Sequence, residues 1–491
     1  MRNSNININH KAIVRIYGII LLTTGISMIF PWIYALLISD TDTIAGFRIG
    51  CLSSILIGGA ITVIFKSDKA SFKLREAYIV VAMSWVIAIL AGSMPYYFSD
   101  FTNSYIDALF ESTSGFTTTG CSSTSLASMP NTLMLWKAIS NWLGGMGILV
   151  FAISLLPALG INGQFIARAE VPGPVLQKTS VRMSDSAKFL YITYFGFSLM
   201  EFILLVCSQK MPIFDAVINT LGSISTGGVT AHIDGIAHYN SIFVEVVISL
   251  FCLLSSLNYV LYHYAIQGKF SYLVKDMELR VYFAIIFFAT AICTLFTYHV
   301  KGISFGASLR ESIFQVISYA TTAGYVRTPS MMWPTTCLLI FIILMFIGGC
   351  SSSTAGSIKV VRVMIMFKLI LRGCIRRMHP RSVVAVKLGK NTISAPLVSG
   401  ITAFILTYIV LLLISMFILS FQGLSFENNL ATSLAMLSNT GAGFGNAASL
   451  GNFSIFHPAL RVYLGILMVM GRLELFTVII FFSRSFWGKN H

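Results

Sequence analysis

Four short clusters of serine, threonine and glycine recur along the chain in the same context. Each cluster follows an acidic residue by about three amphipathic helical turns. The clusters are Thr118-Thr119-Gly120, Ser225-Thr226-Gly227, Thr322-Ala323-Gly324 and Asn439-Thr440-Gly441. Glycine allows backbone angles that turn carbonyl groups toward an axis, and rings of carbonyls can replace the hydration shell of an ion. The pattern therefore predicts four half-helices, each ending in a turn that offers main-chain oxygens to a cation.

A half-helix of this length is too short to cross a bilayer. Non-helical backbone at membrane depth is tolerated only where it is buried in protein or lines water, so the four turns must face a cavity or pore. With the acidic residue at the outer N-terminus, the negative C-terminal end of each helix dipole points inward, where it stabilises a cation. One such cluster alone is a weak signal, but four in matching contexts indicate a shared pore.

The surrounding chain has the composition of a membrane protein. Of its 491 residues, 56% are hydrophobic and only 10% are charged, whereas a soluble domain is nearer a quarter charged. A window of about 20 apolar residues predicts ten spans, near residues 12–38, 44–65, 77–98, 134–157, 187–207, 240–266, 281–300, 334–358, 395–421 and 458–483. The even number puts both termini on one side. The first apolar run is too long for a cleavable signal peptide, and we expect it to be retained.

The net charge of +15 could suggest binding to nucleic acid, but the basic residues follow the topology instead. With the N-terminus inside, most of them fall in cytoplasmic segments, most densely between Lys359 and Lys390. The outer segments hold Arg48, Lys137, Lys210, Lys301, Arg310, Arg327 and Arg461. The positive-inside rule therefore predicts two cytoplasmic termini, and no nucleic-acid partner is expected. The dense basic block is typical of this topology and of contact with lipid headgroups, although it could also bind an acidic face of a partner.

Other chemistries have little support among the residues. The eight cysteines are single, without a Cys-x-x-Cys pair, as expected for buried small hydrophobes. The acids Glu201, Glu245 and Glu474 within the spans are not paired in sequence, so an enzyme is not expected. The spacing of His232 and His238 matches no standard metal signature. No phosphate-binding glycine motif stands in the right context, so no cofactor is expected and any control by nucleotide must come from another polypeptide.

The four clusters also carry a resemblance to a known family. The sequence resembles the TrkH/TrkG/KtrB superfamily of potassium transporters, most nearly its TrkH members. The matching motifs are Ser114-Gly115-Phe116-Thr117-Thr118-Thr119-Gly120, Ser225-Thr226-Gly227-Gly228, Thr321-Thr322-Ala323-Gly324-Tyr325 and Asn439-Thr440-Gly441-Ala442-Gly443. The resemblance implies an all-α integral membrane fold of four helix–pore-loop–helix repeats around one pore, preceded by two extra transmembrane helices. The expected units are residues 1–75 for the extra helices and 76–185, 186–278, 279–392 and 393–491 for the repeats.

The resemblance further implies a function and partners. K+ is the expected transported ion, and the cluster residues form its selectivity filter. The expected assembly is a homodimer with a cytosolic TrkA-like nucleotide-binding subunit, and the expected location is the bacterial cytoplasmic (inner) membrane.

A run of small polar residues from 348 to 359 interrupts the eighth predicted span. One interpretation is a close helix crossing, since small residues let membrane helices approach. The other is a mobile loop, and the resemblance implies that this stretch lies under the filter and acts as a gate. Its candidate gating residues are Gly348, Gly349, Gly356 and Lys359. Ser352 and Ser357 depart from the family's glycine-richer pattern, which predicts a stiffer loop.

Arg472 lies inside the last predicted span, where an arginine costs about 2.5–3.5 kcal/mol at the bilayer centre. It is therefore not expected to face lipid. One interpretation pairs Arg472 with Glu474, Glu201 or Glu245. In the other, which follows the resemblance, Arg472 lies below the filter, where its charge opposes cation passage or positions the gating loop.

Two hypotheses of transport follow. The first is potassium uptake through the four-loop filter, driven by an inside-negative potential and controlled by the gating loop and the cytosolic subunit. The alternative is a secondary transporter of another solute coupled to H+ or Na+. Transport of an anionic substrate would need helix N-termini facing the ligand, which is opposite to the predicted orientation. Cys121, Ala323 and Ala442 depart from the family pattern beside the filter and predict looser selectivity for K+ over Na+ than in a symmetric potassium channel.

Overall fold

The computed structural model describes residues 10–65, 74–99, 101–102, 104–125, 128–147, 183–382, 384–389, 391–442 and 453–483. Apart from one two-residue antiparallel ladder, the regular structure of these residues is helical, which confirms the predicted all-α membrane fold. Within these ranges, six helices are long and apolar enough to cross a membrane, or seven if one bent pair counts as a single span. Leu37, Phe287 and Phe417 expose 78%, 68% and 65% of their surface, as expected for side chains that contact lipid.

Three helices precede the first repeat. They are α1 (His10–Ser27), α2 (Ile29–Leu37) and α3 (Thr41–Ile64). The first two form one apolar stretch that is long enough to span a membrane, and the third forms another. Helix α1 crosses α3 closely at Gly18 and Gly58, because a β-carbon on Gly58 would lie only 2.7 Å from the carbonyl oxygen of Gly18. Small residues permit such crossings in membranes.

The order of long helix, short pore helix and second helix then occurs four times. Repeat 1 contains α4 (Leu74–Phe98), α5 (Tyr105–Phe116) and α6 (Asn131–Gly145), and repeat 2 contains α7 (Met183–Cys207), α8 (Ile213–Ile224), α9 (Ile242–Ser256) and α10 (Tyr259–Ile266). Repeat 3 contains α11 (Ser271–Lys275), α12 (Met277–Lys301), α13 (Phe305–Ala320), α14 (Thr335–Ile347) and α15 (Val360–Met378), followed by strands β1 (Lys387–Leu388) and β2 (Asn391–Thr392). Repeat 4 contains α16 (Ala395–Ser420), α17 (Phe426–Leu437), α18 (Pro458–Arg472) and α19 (Phe476–Ile479). The second half of the predicted span 134–157 lies outside the described residues.

Local sequence explains where the pore helices α5, α8, α13 and α17 begin. In three of them a serine side chain accepts a hydrogen bond from a backbone N–H of the first turn, and these N-caps are Ser104, Ser304 and Ser425. A serine at this position satisfies one of the N–H groups that have no partner within the helix. Pro212 precedes α8.

One predicted span is not straight. The stretch predicted as a single helix near 240–266 is bent by 96° between α9 and α10. The side chain of Asn258 accepts a hydrogen bond from the Val260 N–H and caps the second segment. The prediction of one continuous helix was wrong because α9 ends at Ser256, whose carbonyl accepts a hydrogen bond from the distant Cys350 N–H.

The last predicted span is also broken. Helix α18 ends at Arg472, and the positive φ angles of Glu474 (57°) and Leu475 (44°) separate it from α19. Residues with a β-carbon rarely adopt such angles, and nothing in the local sequence announces them. The prediction of a continuous helix from 458 to 483 was therefore wrong, and Arg472 is a helix-terminal residue.

Candidate ion pathway

All four pore helices end in the same hydrogen-bonded turn. The second residue after each helix has a left-handed φ angle: Thr118 (55°), Thr226 (54°), Thr322 (57°) and Asn439 (55°). In repeat 1 the N–H of Thr118 donates to the Gly115 carbonyl and that of Thr119 to the Ser114 carbonyl, and the other three repeats show the matching bonds. This is the Schellman motif, in which glycine is the usual left-handed residue. Because another L-residue there costs about 1–2 kcal/mol, the four turns are strained at equivalent points.

The hydrogen bonds define which glycines are equivalent. The N–H groups of Gly120, Gly228, Gly324 and Gly441 each donate to the carbonyl of the sixth preceding residue, and these four glycines all have positive φ angles of 62–77°. The alignment of the four sequence clusters paired Gly227 with Gly120, Gly324 and Gly441. That alignment was therefore wrong by one residue in repeat 2, where Gly228 is the equivalent glycine. Gly227 instead occupies the position of Thr119, Ala323 and Thr440.

These glycines interlock the four turns into a ring. A β-carbon on Gly120 would overlap the carbonyl oxygen of Gly227, and one on Gly228 would overlap that of Ala323. In the same way, Gly324 packs on the carbonyl oxygen of Thr440 and Gly441 on that of Thr119. Each glycine therefore touches the next repeat, and the fourth touches the first. The predicted filter clusters meet in one place, where a methyl group has no room.

The ring has the chemistry that the sequence predicted for a cation pathway. Four helix C-termini, each carrying partial negative charge, end at it. Carbonyl groups and hydroxyls are concentrated there, and the side-chain amide of Asn439 joins repeats 4 and 1 by donating to Thr119 Oγ1 at 3.1 Å. A cluster of main-chain oxygens such as this can bind a dehydrated monovalent cation.

The interrupted segment of repeat 3, residues 348–359, packs against the turn of its own repeat and against those of repeats 2 and 4. The Gly356 N–H donates to Thr322 Oγ1 at 2.7 Å, and the hydroxyls of Thr226 and Thr354 lie 3.4 Å apart. A β-carbon on Gly356 would overlap the carbonyl oxygen of Ser438. We call residues 348–359 the intramembrane loop, which contacts the turns of repeats 2, 3 and 4 directly.

The break in repeat 2 supplies partners to this loop. The carbonyl of Ser256, left free by the end of α9, accepts from the Cys350 N–H at 2.9 Å, and that of Ser255 accepts from Thr354 Oγ1 at 3.0 Å. On the other side, the buried carboxylate of Glu278 accepts from the N–H and the hydroxyl of Ser351 at 2.7 and 2.6 Å. Sequence reasoning missed Glu278, although an acid at the start of an apolar helix was visible.

The loop also contains unusual backbone angles. Gly348 has a φ of 72°, and Ser352, Ser357 and Lys359 have φ angles of 54°, 67° and 83°. Positive φ favours glycine, so the two serines noted as departures from the glycine-rich pattern occupy positions where glycine would be unstrained. The Lys359 ammonium turns back into the loop and donates to the carbonyl of Ala355. Gly349 lies against the Ser256 carbonyl, with no room for a side chain.

Arg472 lies where three segments meet. Its Nη1 donates to the carbonyl of Thr354, and its Nη2 donates to the carbonyls of Gly144 and Gly145, all at 2.7 Å. The carboxylate of Glu474, one of its predicted partners, lies 2.6 Å from Arg362 Nη2. The other two predicted partners also have contacts elsewhere, Glu201 with Ser223 and Glu245 with Arg310 and Arg327.

The structure reveals a buried ion pair that the sequence did not predict. Lys137, which the charge pattern assigned to an outer segment, lies 2.8 Å from Glu111, and both side chains are almost fully buried. Lys137 also donates to the carbonyl of Cys121, the residue directly after Gly120. A lysine within α6 was the available signal, but its sequence position alone did not indicate a partner.

Ionic contacts lie near the N-terminal ends of the pore helices α8 and α13. Glu245 forms ion pairs with Arg310, in the second turn of α13, and with Arg327, which follows that helix. His232 lies 2.9 Å from Asp215, and its ring stacks on His238 with centroids 3.6 Å apart. Within the described ranges no group of three or more histidine, cysteine or acidic residues is arranged to hold a metal.

Comparison with known proteins agrees with this geometry. Residues 44–489 match the sequence model of the TrkH family, described as a cation transport protein. The chain is 32% identical over 484 residues to the Trk system potassium uptake protein TrkH of Salmonella typhimurium, covering 98% of this chain and 99% of the relative. It is 31% identical over 489 residues to the Trk system potassium uptake protein TrkG of Escherichia coli, with 98% and 99% covered. The crystal structure of the potassium transporter TrkH from Vibrio parahaemolyticus matches with a TM-score of 0.87 at 27% identity, covering 97% of this chain and 99% of that one.

Proposed function

The chain belongs to the TrkH family of cation transport proteins, and from this premise we propose that it takes up K+ across the bacterial cytoplasmic (inner) membrane. The four turns act as its selectivity filter, and both termini lie in the cytoplasm. K+ is the cargo of this pathway and not a resident cofactor.

The observation that carries this proposal is the closed ring of glycine contacts. Gly120, Gly228, Gly324 and Gly441 each pack on a carbonyl of the next repeat, so the four turns surround one axis. Four helix C-termini and their carbonyl oxygens favour a cation at this axis. The same orientation argues against an anionic substrate, for which helix N-termini would have to face the ligand.

The membrane potential supplies the driving force. Each charge that moves inward gains about 2.3 kcal/mol per 100 mV of inside-negative potential. Coupling to H+ or Na+ is not needed for uptake at low external K+ as long as that gain exceeds the free-energy cost of moving K+ against its concentration gradient.

The intramembrane loop acts as the gate of this pathway. Support comes from its hydrogen bond to the filter residue Thr322 and from its contact with Ser438, which put the loop across the end of the pore helices. Arg472 holds the loop closed through Thr354, and its positive charge opposes cations that leave the filter. Gly348, Gly349, Gly356 and Lys359 belong to the same gating unit.

The assembly follows the resemblance. The protein forms a homodimer and is controlled by a cytosolic TrkA-like nucleotide-binding subunit. Support within the chain comes from helix α15, whose cytoplasmic end carries Arg376 and Arg377 in exposed positions and Arg372 in a half-buried one. These cations can bind an acidic partner as well as lipid headgroups.

Growth and flux test the proposed function together. Expression in bacteria that lack potassium uptake, with the cognate cytosolic subunit present, should restore growth at low external K+ and raise rubidium uptake. Abolishing the membrane potential with an ionophore should stop this uptake. Uptake that persists without a potential but requires a proton or sodium gradient would instead identify a coupled secondary transporter. No uptake with the protein present in the membrane would contradict the proposal.

A further inference from the structure

The buried pair Glu111–Lys137 holds the backbone that leaves the filter in repeat 1. Lys137 Nζ lies 2.8 Å from Glu111 Oε2, with side-chain exposures of 1% and 0%, and it donates to the Cys121 carbonyl at 2.7 Å. Glu111 Oε1 accepts from the Ser123 N–H at 2.7 Å. The pair therefore fixes one carbonyl and one N–H just beyond Gly120.

Repeat 3 makes the same two bonds with one neutral side chain. Gln315 precedes Gly324 by the same number of residues as Glu111 precedes Gly120. Its Nε2 donates to the Tyr325 carbonyl at 3.1 Å, and its Oε1 accepts from the Arg327 N–H at 3.3 Å. Tyr325 and Arg327 correspond to Cys121 and Ser123. One glutamine thus replaces a charged pair.

A third hydrogen bond is shared by the two repeats, although Glu111 also accepts from the hydroxyls of Ser122, Ser123 and Thr124. Ser114 donates to the Cys121 carbonyl at 2.6 Å, and Ser318 donates to the Tyr325 carbonyl at 2.7 Å. Lys137 is the seventh residue of α6, and its counterpart in α14 is the buried Phe341. In repeat 3 the two backbone hydrogen bonds therefore form without a charged side chain at either position.

Both carbonyls are fully occupied by the protein. A carbonyl oxygen has two lone pairs, and the Cys121 carbonyl accepts from both Ser114 and Lys137. The Tyr325 carbonyl likewise accepts from Ser318 and Gln315. Neither oxygen has a lone pair left for an ion, so the column of ion-binding carbonyls stops at the glycines in these two repeats.

We propose that Glu111 and Lys137 are positioning residues that end the ion-binding column in repeat 1 and set how strongly the filter holds a cation. This inference rests on the proposed K+ pathway. Lys137 withholds the Cys121 carbonyl from the ion, and Glu111 balances the buried ammonium. A neutral glutamine forms both hydrogen bonds in repeat 3. The role therefore requires that the two side chains together carry no net charge, and it does not require that either one is charged.

Four variants of the full-length protein test this role in bacteria that lack other potassium uptake, with the cognate subunit present. Lys137→Met frees a lone pair of the Cys121 carbonyl and leaves a negative charge, so it should lower the K+ concentration of half-maximal uptake. Glu111→Gln leaves a positive charge and should raise that concentration, each by about tenfold. The double variant Glu111→Gln/Lys137→Met reproduces the arrangement of repeat 3 and should return to within about twofold of the wild type. Gln315→Glu in repeat 3 is the matched control and should shift in the same direction as Lys137→Met.

The outcomes separate clearly. The proposal is supported if the K+ concentration of half-maximal uptake shifts in opposite directions in the two single variants and returns toward the wild-type value in the double variant. This holds also when a single variant reaches the membrane in reduced amount. Shifts of both single variants in the same direction, or no shift in either, overturn it. A double variant that is as impaired as the worse single variant, or is absent from the membrane, also overturns it.

Failure of the proposed function itself would be recognised separately, because the wild type would then give no uptake. Thermal unfolding of the detergent-solubilised proteins still tests the structural role of the Glu111–Lys137 pair in that case. Both single variants should then unfold at lower temperature, and the double variant should unfold close to the wild type. A double variant that unfolds at no higher temperature than the single variants would contradict this role of the pair.

Discussion

Arg472 Nη1 donates to the carbonyl oxygen of Thr354 at 2.7 Å, which ties the last long helix of the chain to the intramembrane loop. The other end of the same guanidinium reaches the carbonyls of Gly144 and Gly145. One side chain of repeat 4 therefore joins repeat 3 to repeat 1. A planar guanidinium can make these bonds in several directions at once, which the ammonium of a lysine cannot reproduce in the same geometry.

Loss of this contact should open the pathway. A hydrogen bond from a charged group contributes about 1.5–3 kcal/mol, so Arg472→Gln should raise resting rubidium flux about tenfold, and Arg472→Lys should give a smaller rise. Flux into proteoliposomes at equal protein content measures this. Arg461→Gln, at the outer end of the same helix where Arg461 pairs with Asp107, serves as control and should leave resting flux low. Unchanged resting flux in Arg472→Gln would show that the arginine does not control the gate.

The register of the second turn can be tested with neighbouring glycines. Gly228→Ala requires a left-handed alanine, which costs about 1–2 kcal/mol, and its methyl group would overlap the Ala323 carbonyl. Gly227→Ala has no left-handed angle to adopt, and its methyl group would meet the side-chain amide of Asn141. We expect Gly228→Ala to lose most K+ uptake or its preference over Na+, and Gly227→Ala to lose much less. The reverse order in uptake assays would restore the register predicted from sequence.

Glu278 should stabilise the closed loop more than Ser351 does. Glu278→Ala removes both hydrogen bonds to Ser351, whereas Ser351→Ala removes only the hydroxyl bond and keeps the one from the N–H. Since each bond to a carboxylate contributes about 1.5–3 kcal/mol, resting rubidium flux should rise in both variants and more strongly in Glu278→Ala. Equal flux in the two variants and the wild type, at equal abundance, would mean that this anchor does not control the loop.

Replacement of Glu201 by glutamine should preserve function, whereas replacement by alanine should destabilise the protein. Its two carboxyl oxygens lie 2.7 and 2.6 Å from the single hydroxyl of Ser223, near the end of α8. A hydroxyl can donate to one atom and accept from another, so Glu201→Gln should retain uptake within about twofold of the wild type. Glu201→Ala leaves a cavity and reduces the partners of the Ser223 hydroxyl to the Thr220 carbonyl, so it should lower the free energy of unfolding by about 2–5 kcal/mol. A large loss of uptake in Glu201→Gln alone would show that the acid itself is required.

The sequence by itself determined the class of fold and the place of the turns that end the pore helices. Apolar runs, the sorting of basic residues and four acid-to-glycine segments are local patterns, because a membrane span and a half-helix each depend on residues that are close in the chain. Those patterns were sufficient to identify the turns at Thr118, Thr322 and Asn439. They also singled out the intramembrane loop and Arg472.

Only the tertiary structure decided how these segments meet. The equivalence of Gly228 with Gly120 depends on hydrogen bonds and on a carbonyl from another repeat. The bend after Ser256 depends on the loop that satisfies its free carbonyl. The burial of Lys137 depends on Glu111 lying opposite it across the repeat. Each of these features depends on at least one contact between residues that are distant in sequence, and such contacts leave no periodic signal in the chain.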